Sequence, residues 1–367
     1  MISRRKLPAA AVLQSVYRAG LSAKKEQVVT TIQKPQEILS LQYLRALAAI
    51  GVLLYHRIEI FSIGTHGVDL FFVISGFVMI ATTDAKEKTP SAFLLDRIIR
   101  VVPMYWLAIL AGGLLVLVGI PVHRYETDVV SLISSMSFIP YQNAHGEVWP
   151  VILQGWTLNY EMYFYAIFSI ILIAPQSLRV WGLAACFGAL VILGEAVPSQ
   201  GAISTTYTSP LLLEFLAGTI LGRVYGLTLR NLSLLRALVI SGLLAAGLFA
   251  CSYFFGRLAW GGLAVLIVAS ALTIERLGWV PNIPWLKFLG AASFSIYIFQ
   301  QLFFTLSGNV FGALTQLSGI NFLYLWFWRP MDVVIAAGGG ALIYMFIEKP
   351  VGRYLKSMRF RAKVVAA

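Results

Sequence analysis

The sequence predicts an all-α, polytopic membrane helix bundle with about ten transmembrane helices. Of the 367 residues, 59% are hydrophobic and only 12% are charged, and the mean hydropathy is +0.80. A soluble domain of this composition would expose too much apolar surface to water. Apolar segments of about 20 residues, the length at which a helix crosses a bilayer, recur along the chain.

Ten such segments follow one another with polar breaks between them. Two of them, 181–196 and 209–222, are short for a helix that crosses the hydrocarbon core. The predicted helices lie near 41–60, 67–83, 99–120, 151–174, 181–196, 209–222, 237–256, 259–275, 288–307 and 322–347.

The distribution of Lys and Arg predicts that the N- and C-termini are both cytoplasmic. If ten spans alternate from a cytoplasmic N-terminus, 24 of the 28 basic residues fall on the cytoplasmic side. The four outside are Arg57, Arg124, Arg257 and Arg329. Such an excess is typical of cytoplasmic loops. The net charge of +12 therefore indicates orientation and attraction to anionic lipid, and we expect no nucleic-acid partner.

Three regions divide the chain. Residues 1–38 are polar and basic, and they lack the apolar core of a cleaved signal peptide, so we expect a flexible cytoplasmic extension. Residues 39–354 form the membrane domain, and residues 355–367 form a basic cytoplasmic tail. Because no soluble catalytic domain is appended, any chemistry must lie within or against the helix bundle.

Cysteine usage and motif searches exclude several classes of site. Cys186 and Cys251 both lie in apolar spans, so the sequence predicts neither a disulfide framework nor a zinc site. The chain has no GxSxG elbow, no Walker A loop and no HExxH helix. We therefore expect no bound metal and no bound cofactor.

Residues 41–80 carry the most informative pattern, because ionisable residues interrupt apolar helices there. Arg45 and His56 are eleven positions apart, which is three helical turns plus about 20°, so their side chains share one face. They are separated by about 16 Å along the helix axis. Ionisable groups inside a membrane are costly and usually functional. Arg45 would lie near one membrane surface and His56 deep in the bilayer, on the same helical face. This arrangement predicts that a substrate lies along that face, between the two side chains.

Arg97 and Arg100 form a second basic feature, at the predicted cytoplasmic start of the third helix. Their spacing of three gives them neighbouring positions on one face. Two interpretations stay open: an anchor at the cytoplasmic interface, or a clamp for phosphate oxygens. Arg45 enters the membrane at the same surface and favours the clamp.

His56 also has two interpretations. With Arg57 and Glu59 it could form an interfacial cluster at the outer end of the first helix. Alternatively it is a general base for a hydroxyl, since imidazole has an unperturbed pKa of about 6.5. Asp69, a short loop away, could orient His56. Alternatively, its negative charge could simply stabilise the N-terminus of the second helix through the helix dipole.

Further polar and aromatic residues lie within the apolar segments. Glu161 is about ten residues into the fourth helix, where a carboxylate could pair with an arginine or contact an acceptor hydroxyl. Glu214 is another acid inside an apolar segment, and the same roles are open to it. Glu348, by contrast, is expected to end the last helix before a proline. The aromatic residues near Glu161, which could also belong to an interfacial belt, are Trp156, Tyr160 and Tyr163.

Six motifs in a fixed order are similar to those of the integral-membrane acyltransferase 3 family, which includes O-acetyltransferases of bacterial surface sugars. The resemblance extends from residue 41 to about 354 and is closest to the exopolysaccharide-production branch. Its elements are Arg45 with His56, the segment 67–77 (GVDLFFVISGF), Arg97 and Arg100 followed by Pro103 and Trp106, the segment 156–165, the segment 289–299 (LGAASFSIYIF), and EKP at 348–350.

The resemblance implies a membrane acyltransferase domain over 39–354 that transfers an acyl group, usually acetyl from acetyl-CoA, to a sugar hydroxyl. It implies that His56 is catalytic and that the arginines serve the acyl-CoA donor. The chain departs from the family at Gln300, where many members have histidine. Glutamine forms hydrogen bonds but does not take up a proton as histidine does, so an acid–base role there is in doubt.

We therefore expect a bacterial inner-membrane enzyme whose partners are acyl-CoA, a sugar or glycan acceptor and the lipid bilayer; a homo-oligomer stays open. His56, Asp69 and Glu161 are the candidate catalytic residues. The alternatives are a transporter of an anionic or sugar substrate and an acyltransferase with a non-sugar acceptor. The candidate binding residues are Arg45, Arg97, Arg100, Trp156, Tyr160, Tyr163, Glu214 and Gln300.

Overall fold

The computed structural model describes residues 37–197, 201–227, 257–318 and 327–365. Within these ranges the chain forms helices and no β-strand, so the all-α class is confirmed. The predicted helix at 237–256 lies outside the described residues. The α-helices are α1 (Leu39–Arg57), α2 (Gly67–Ala85), α3 (Pro90–Leu117), α4 (Val129–Met136), α5 (Gly155–Ile171), α6 (Arg179–Ala196), α7 (Ala202–Tyr207), α8 (Leu212–Leu227), α9 (Arg257–Arg276), α10 (Pro284–Ser318), α11 (Arg329–Ile343) and α12 (Lys349–Val365).

Seven helical stretches in the described part of the chain are long and apolar enough to cross a membrane. Two further predicted spans, α5 and α8, form shorter helices of 17 and 16 residues. The multi-pass arrangement is thus supported, while the count of ten and the orientation of the termini stay predictions. The seven stretches are Leu39–Arg57, Phe61–Ala85, Pro90–Leu117, Gln176–Ala196, Ala259–Arg276, Pro284–Leu317 and Arg329–Arg359.

Large apolar side chains cover the outside of the bundle. Leu117 is 84% exposed, Ile173 76% and Trp181 73%. A protein in water rarely presents so many large apolar groups, whereas lipid tails accommodate them without cost. These side chains therefore mark surfaces that face lipid.

Helix α3 begins nine residues earlier than predicted. Thr89 caps its N-terminus by accepting a hydrogen bond from the backbone N–H of Ala92 at 3.3 Å, and Pro90 occupies the first turn. Threonine followed by proline is a start signal that the apolar pattern alone does not include. Arg97 and Arg100 consequently lie two to three turns inside the helix and not at its start.

Close backbone contacts hold α2 in the centre of the bundle. A Cβ atom added at Gly76 would lie 2.1 Å from the carbonyl oxygen of Phe215, and one added at Gly218 would lie 2.1 Å from that of Val73. Only glycine permits α2 and α8 to approach so closely. On the other side, a Cβ atom at Gly67 would lie 2.6 Å from the carbonyl oxygen of Ala48 in α1. These contacts fix the position of the residues that α2 contributes to the site.

Helix α10 runs parallel to α1. Gly290 packs against the backbone of Gln42, Arg45 contacts Ser293, and Arg57 contacts Phe304, so sequence numbers rise together along the pair. This register brings the middle of α10 beside the face of α1 on which Arg45 and His56 lie.

The last helix does not stop at Glu348, as the sequence predicted. A π-helical segment, Tyr344–Glu348, joins α11 to α12, and helix continues to Val365. Proline lacks an N–H and clashes with the preceding turn of an α-helix; the wider π turn accommodates Pro350. The basic tail is therefore helical in its described part, and Arg359 within it forms an ion pair with Asp96 of α3.

Candidate active site

The three predicted arginines line one cavity. Arg45 of α1 and Arg97 and Arg100 of α3 surround it together with Glu161 of α5. The cavity contains about 750 Å³ of space free of protein atoms, its open mouth included. Three guanidiniums against one lining carboxylate give it an excess of positive charge, which suits an anionic ligand. We refer to this space as the arginine cavity.

Arg45 is held in place from several directions. Its Nη2 donates a hydrogen bond to Ser293 Oγ of α10 at 3.0 Å. Arg100, Glu348 and Glu161 all interact electrostatically with its guanidinium. Glu348 in turn accepts a hydrogen bond from Ser295 Oγ at 2.6 Å. The sequence assigned Glu348 only to a helix end, but the structure gives it a part in this charge network.

Glu161 has local partners within the same cavity. Tyr165, one turn further along α5, donates a short hydrogen bond to its Oε1. Ser75 Oγ of α2 lies 3.4 Å from the same oxygen. The guanidinium of Arg97 lies over the rings of Phe93 and Tyr165, at 5.8 and 5.9 Å from their centroids. Side chains from four helices thus fix the positions of the charged groups before any ligand arrives.

A second, larger cavity contains His56. It holds about 1310 Å³ of space free of protein atoms, including open solvent, and its walls are richer in aromatic and polar groups. We refer to it as the histidine cavity. The residues that line it are Val52, Tyr55, His56, Thr65, Val68, His123, Arg124, Trp149, Leu153, Gln154, Trp156 and Tyr297.

The side chain of His56 is exposed and lines the histidine cavity. Its depth in the bilayer stays a prediction. The exposure arises because α1 ends at Arg57 and His56 therefore lies in the last turn beside an open cavity. Arg57 anchors this end: its Nη2 lies 3.2 Å from Asp332 Oδ2 of α11 and 2.6 Å from the carbonyl oxygen of Phe304. Asp332 is 1% exposed, so the ion pair is shielded on its acidic side.

Asp69 is paired with His66, whereas the sequence suggested His56. The distance from His66 Nδ1 to Asp69 Oδ2 is 2.7 Å, and the imidazole of His66 stacks on Trp260 at 3.7 Å between ring centroids. Asp69 is 2% exposed at the start of α2. Its spacing of three from His66 was a local signal that the sequence interpretation did not use. A catalytic role for Asp69 stays a prediction.

The two cavities meet at Val68 and Tyr297. Among the described residues, these two line both the arginine cavity and the histidine cavity. Val68 follows Gly67, whose close contact with α1 brings the start of α2 against that helix. Tyr297 lies one turn after Ser293, the partner of Arg45. The arginine cavity and the histidine cavity are therefore neighbours that share these two lining residues.

The predicted aromatic residues separate into two groups. Trp156 lines the histidine cavity, and its ring packs edge-on against Tyr160 at 6.0 Å between centroids. Tyr160 also packs against Phe72, which lines the arginine cavity. Tyr163 instead stacks on Tyr207 of α7 at 4.1 Å, on another side of α5. The structure therefore brings Trp156 and Tyr160 to the site, and gives Tyr163 a packing contact.

Glu214 and Gln300 lie apart from the lining of these two cavities. Glu214 is 6% exposed and borders a third cavity between α8 and α9, next to Gly261. Gln300 is fully buried, and neither polar atom of its amide has a hydrogen-bond partner in the described part of the chain. Their predicted binding roles are untested by this geometry.

Several site residues were missed at the level of sequence. Tyr297 is part of an apolar segment and carries no charge, so no local signal distinguishes it. The side chain of Gln301 on α10 joins two loop segments. It accepts a hydrogen bond from the backbone N–H of Leu153 at 2.9 Å and donates one to the carbonyl oxygen of His123 at 2.7 Å. Such contacts depend on helix packing and not on spacing along one helix. No group of three His, Cys, Asp or Glu residues suited to a metal ion occurs within the described ranges.

The fold and this site define a membrane-embedded acyltransferase, and the comparison with protein families agrees. The model described as "Acyltransferase domain" matches residues 38–347, and the chain belongs to this family. The resemblance inferred from the six motifs is thereby confirmed.

A curated relative makes the likeness more specific. The chain is 36% identical over 321 residues to the exopolysaccharide production protein ExoZ of Rhizobium meliloti (strain 1021). The match covers 82% of this chain and 94% of the relative. No solved structure matches the chain.

Proposed function

We propose that this protein transfers an acetyl group from cytoplasmic acetyl-CoA to a hydroxyl of an extracytoplasmic or lipid-linked sugar, with His56 as the general base. The observation that carries this proposal is the meeting of two different cavities at Val68 and Tyr297. One cavity is lined by arginines, and the other offers an exposed imidazole.

The donor is acyl-CoA because the arginine cavity has the chemistry to hold its phosphates. Guanidinium groups match phosphate oxygens in pairs, and Arg97 and Arg100 lie one turn apart on α3. Arg45 lines the same cavity from α1, beside Ser293 of α10. In the proposal the pantetheine arm extends past Arg45, and the thioester reaches Val68 and Tyr297.

The acceptor is a sugar that enters the histidine cavity. Tyr55, Trp149 and Trp156 provide aromatic faces there, and His123 and Gln154 provide polar groups. Aromatic walls with a few polar groups are typical of sites that bind and orient small polar ligands. The name of the curated relative refers to exopolysaccharide production, and we extend that acceptor class to this chain.

The reaction follows from the placement of His56 between the acceptor and the thioester. His56 takes the proton of the sugar hydroxyl, and the sugar oxygen attacks the thioester carbonyl carbon. The tetrahedral intermediate then collapses, the C–S bond breaks, and the proton on His56 passes to the leaving sulfur. Whether an acyl-enzyme forms stays open, and direct transfer or a short-lived intermediate is favoured because the sequence indicates no obvious nucleophile. Ser75 and Ser293 do line the arginine cavity.

The proposed location is a bacterial inner membrane, with both termini in the cytoplasm. The bias of 24 of 28 basic residues toward one side supports this orientation. It gives the arginines of α3 access to cytoplasmic CoA and opens the histidine cavity to the other side.

The decisive experiment uses purified protein in detergent with radiolabelled acetyl-CoA. The acceptor is polysaccharide and lipid-linked sugar extracted from source cells in which the gene has been deleted. Wild type should label the extract, and His56→Ala should reduce the rate by about 10²–10⁴-fold, the usual contribution of a general base. His145→Ala, which removes an exposed histidine that lines neither cavity, is the matched control and should retain the rate.

Two results would contradict the proposal. Equal labelling by His56→Ala and wild type would remove His56 from the mechanism. Uptake of acetyl-CoA or sugar into sealed vesicles without labelling would instead favour a transporter. Label on lipid or peptide alone would keep the acyltransferase but change the acceptor.

The donor site is tested separately by acetyl-CoA binding. Arg97→Ala and Arg100→Ala should each weaken binding about tenfold or more, since each removes a charge-assisted hydrogen bond to phosphate. Arg353→Ala, an exposed arginine of α12, is the control and should leave binding unchanged. Unchanged affinity in both α3 variants would end the phosphate-clamp interpretation.

A further inference from the structure

Tyr297 lines both cavities, and it lies in the segment 289–299 of the family resemblance, to which the sequence analysis assigned no role. It is 7% exposed, and that remaining surface borders both cavities. Val68, the other residue at the junction of the two cavities, is aliphatic and cannot form a hydrogen bond. Any thioester that passes from the arginines to His56 therefore passes the phenol of Tyr297.

The hydroxyl of Tyr297 is held in a defined orientation. Thr157 Oγ1 of α5 donates a hydrogen bond to Tyr297 Oη at 3.1 Å. The same Oγ1 also lies 3.0 Å from the backbone carbonyl oxygen of Gln154, and a threonine hydroxyl has one proton to donate. When that proton points to Tyr297, the phenol accepts the hydrogen bond and its own proton is available to another acceptor. The ring is restrained by Phe71, whose centroid lies 6.0 Å away. The Tyr297 hydroxyl is thus a positioned donor at the mouth of each cavity.

Acyl transfer needs such a donor. When an oxygen attacks a thioester, the carbonyl oxygen becomes negatively charged, and a hydrogen bond already aimed at that oxygen lowers the barrier. His56 serves the attacking oxygen and the arginines serve the phosphates, so neither group is assigned to the carbonyl oxygen.

We propose that Tyr297 is a further catalytic residue, which donates its phenolic hydrogen bond to the carbonyl oxygen of the thioester; this rests on the proposed acyl-CoA transfer. As the sugar oxygen bonds to the carbonyl carbon, the π electrons move onto the carbonyl oxygen, which accepts the hydrogen bond from Tyr297. When the carbonyl reforms, the C–S bond breaks and the CoA sulfur leaves with the electron pair and the proton from His56. Tyr297 keeps its proton throughout.

The test is Tyr297→Phe, which removes one oxygen atom and keeps the ring. The value of kcat for acetyl transfer should fall about 10²–10³-fold, the usual loss for one oxyanion donor. The dissociation constant for acetyl-CoA should stay within about twofold, because the bond forms only as charge develops. A structural defect would instead weaken donor binding and lower the melting temperature.

Two variants separate the donor role from packing. Thr157→Val removes the same hydrogen bond but leaves the phenol, so kcat should fall less than about tenfold. Tyr43→Phe is the matched control for loss of a tyrosine hydroxyl: Tyr43 Oη is hydrogen-bonded to Pro281 O and Ile283 N, both at 2.7 Å, away from both cavities. It should leave kcat unchanged.

The outcomes distinguish this inference from the proposed function. Failure of wild type to transfer acetyl would refute the proposed function, and this inference with it. Transfer by wild type with an unchanged kcat in Tyr297→Phe would overturn only the role of Tyr297. Equal losses in Tyr297→Phe and Thr157→Val would also overturn it, because packing around the shared bond would then explain both.

Discussion

The arginine cavity and the histidine cavity share two lining residues but are built differently. In the first, charged side chains are fixed by partners from several helices: Arg45 by Ser293, and Glu161 by Tyr165. In the second, His56 lies in a final helical turn beside a wider and more open space. A fixed charge pattern suits the anionic CoA of the proposed reaction, whereas an open aromatic chamber suits the proposed sugar acceptor.

The difference also shows which parts of the mechanism depend on rigidity. Polar groups fixed before binding cost little reorganisation when charge develops. On the side of the histidine cavity, Arg57 is paired with Asp332, and Arg124 is paired with Glu147 and lies over the ring of Trp149.

The largest effect is expected from closing the junction. Val68→Trp adds bulk where the two cavities meet, so the thioester should no longer reach the acceptor. Acetyl transfer should fall about 10²-fold or more, as expected when reacting groups are misplaced. Binding of acetyl-CoA to the arginines should persist. Val334→Trp, at a position 64% exposed, is the control. Equal loss of activity in both variants would contradict the claim that the thioester passes Val68 to reach the acceptor.

The second prediction concerns the anchor of the histidine cavity. Arg57→Met removes the guanidinium that is ion-paired with the buried carboxylate of Asp332 and should lower the free energy of unfolding by about 3–5 kcal/mol. The double variant Arg57→Met with Asp332→Leu should recover most of this loss, because no buried charge remains. Thermal unfolding in detergent measures both. A double variant no more stable than the single one would show that the ion pair is not the source.

The third prediction compares two adjacent glutamines of α10. Gln301→Met breaks two hydrogen bonds, to the backbone of Leu153 and of His123, and should cost about 1–3 kcal/mol, because each such bond contributes about 0.5–1.5 kcal/mol. Gln300→Met removes a buried amide that has no hydrogen bond among the described residues, so stability should be unchanged or slightly raised. If Gln300→Met keeps full activity, Gln300 has no binding role.

The smallest effect is expected at Asp128, outside the membrane spans. Interaction with Ser131, whose backbone N–H donates a hydrogen bond to Asp128 Oδ1 at 2.9 Å, lowers the pKa of this carboxyl at the start of α4. A lowered pKa in the folded state means that the stabilisation is present above the ordinary carboxyl pKa and is lost as the pH falls through the lowered value. Asp128→Ala should therefore melt slightly lower than wild type at pH 7 and equally at strongly acidic pH. Thr127→Ala is the control.

The sequence predicted features that depend on the period of a single helix. Arg45 shares a face with His56, and Arg97 with Arg100, because spacings of eleven and three residues fix their directions. It did not predict Tyr297 or Gln301, because their roles arise where α10 packs against α1 and α5. The sequence suggested that Asp69 could contact His56. In the structure Asp69 contacts His66 instead, which is three residues away along the chain.

The start of α3 and the exposure of His56 had different causes. The start of α3 was missed because a threonine cap and a proline in the first turn extend the helix beyond its apolar part. The exposure of His56 depends on where α1 ends and on how the following chain folds back, and composition does not determine either. Sequence therefore located the charged groups, while packing decided which of them meet.

The most direct test is an electron cryomicroscopy structure with a thioether analogue of acetyl-CoA that cannot transfer its acyl group. The account predicts phosphates at Arg97 and Arg100, and the acyl carbonyl between Val68 and Tyr297, open to His56. An analogue whose acyl end lies outside the helix bundle, or in the third cavity beside Glu214, would contradict it.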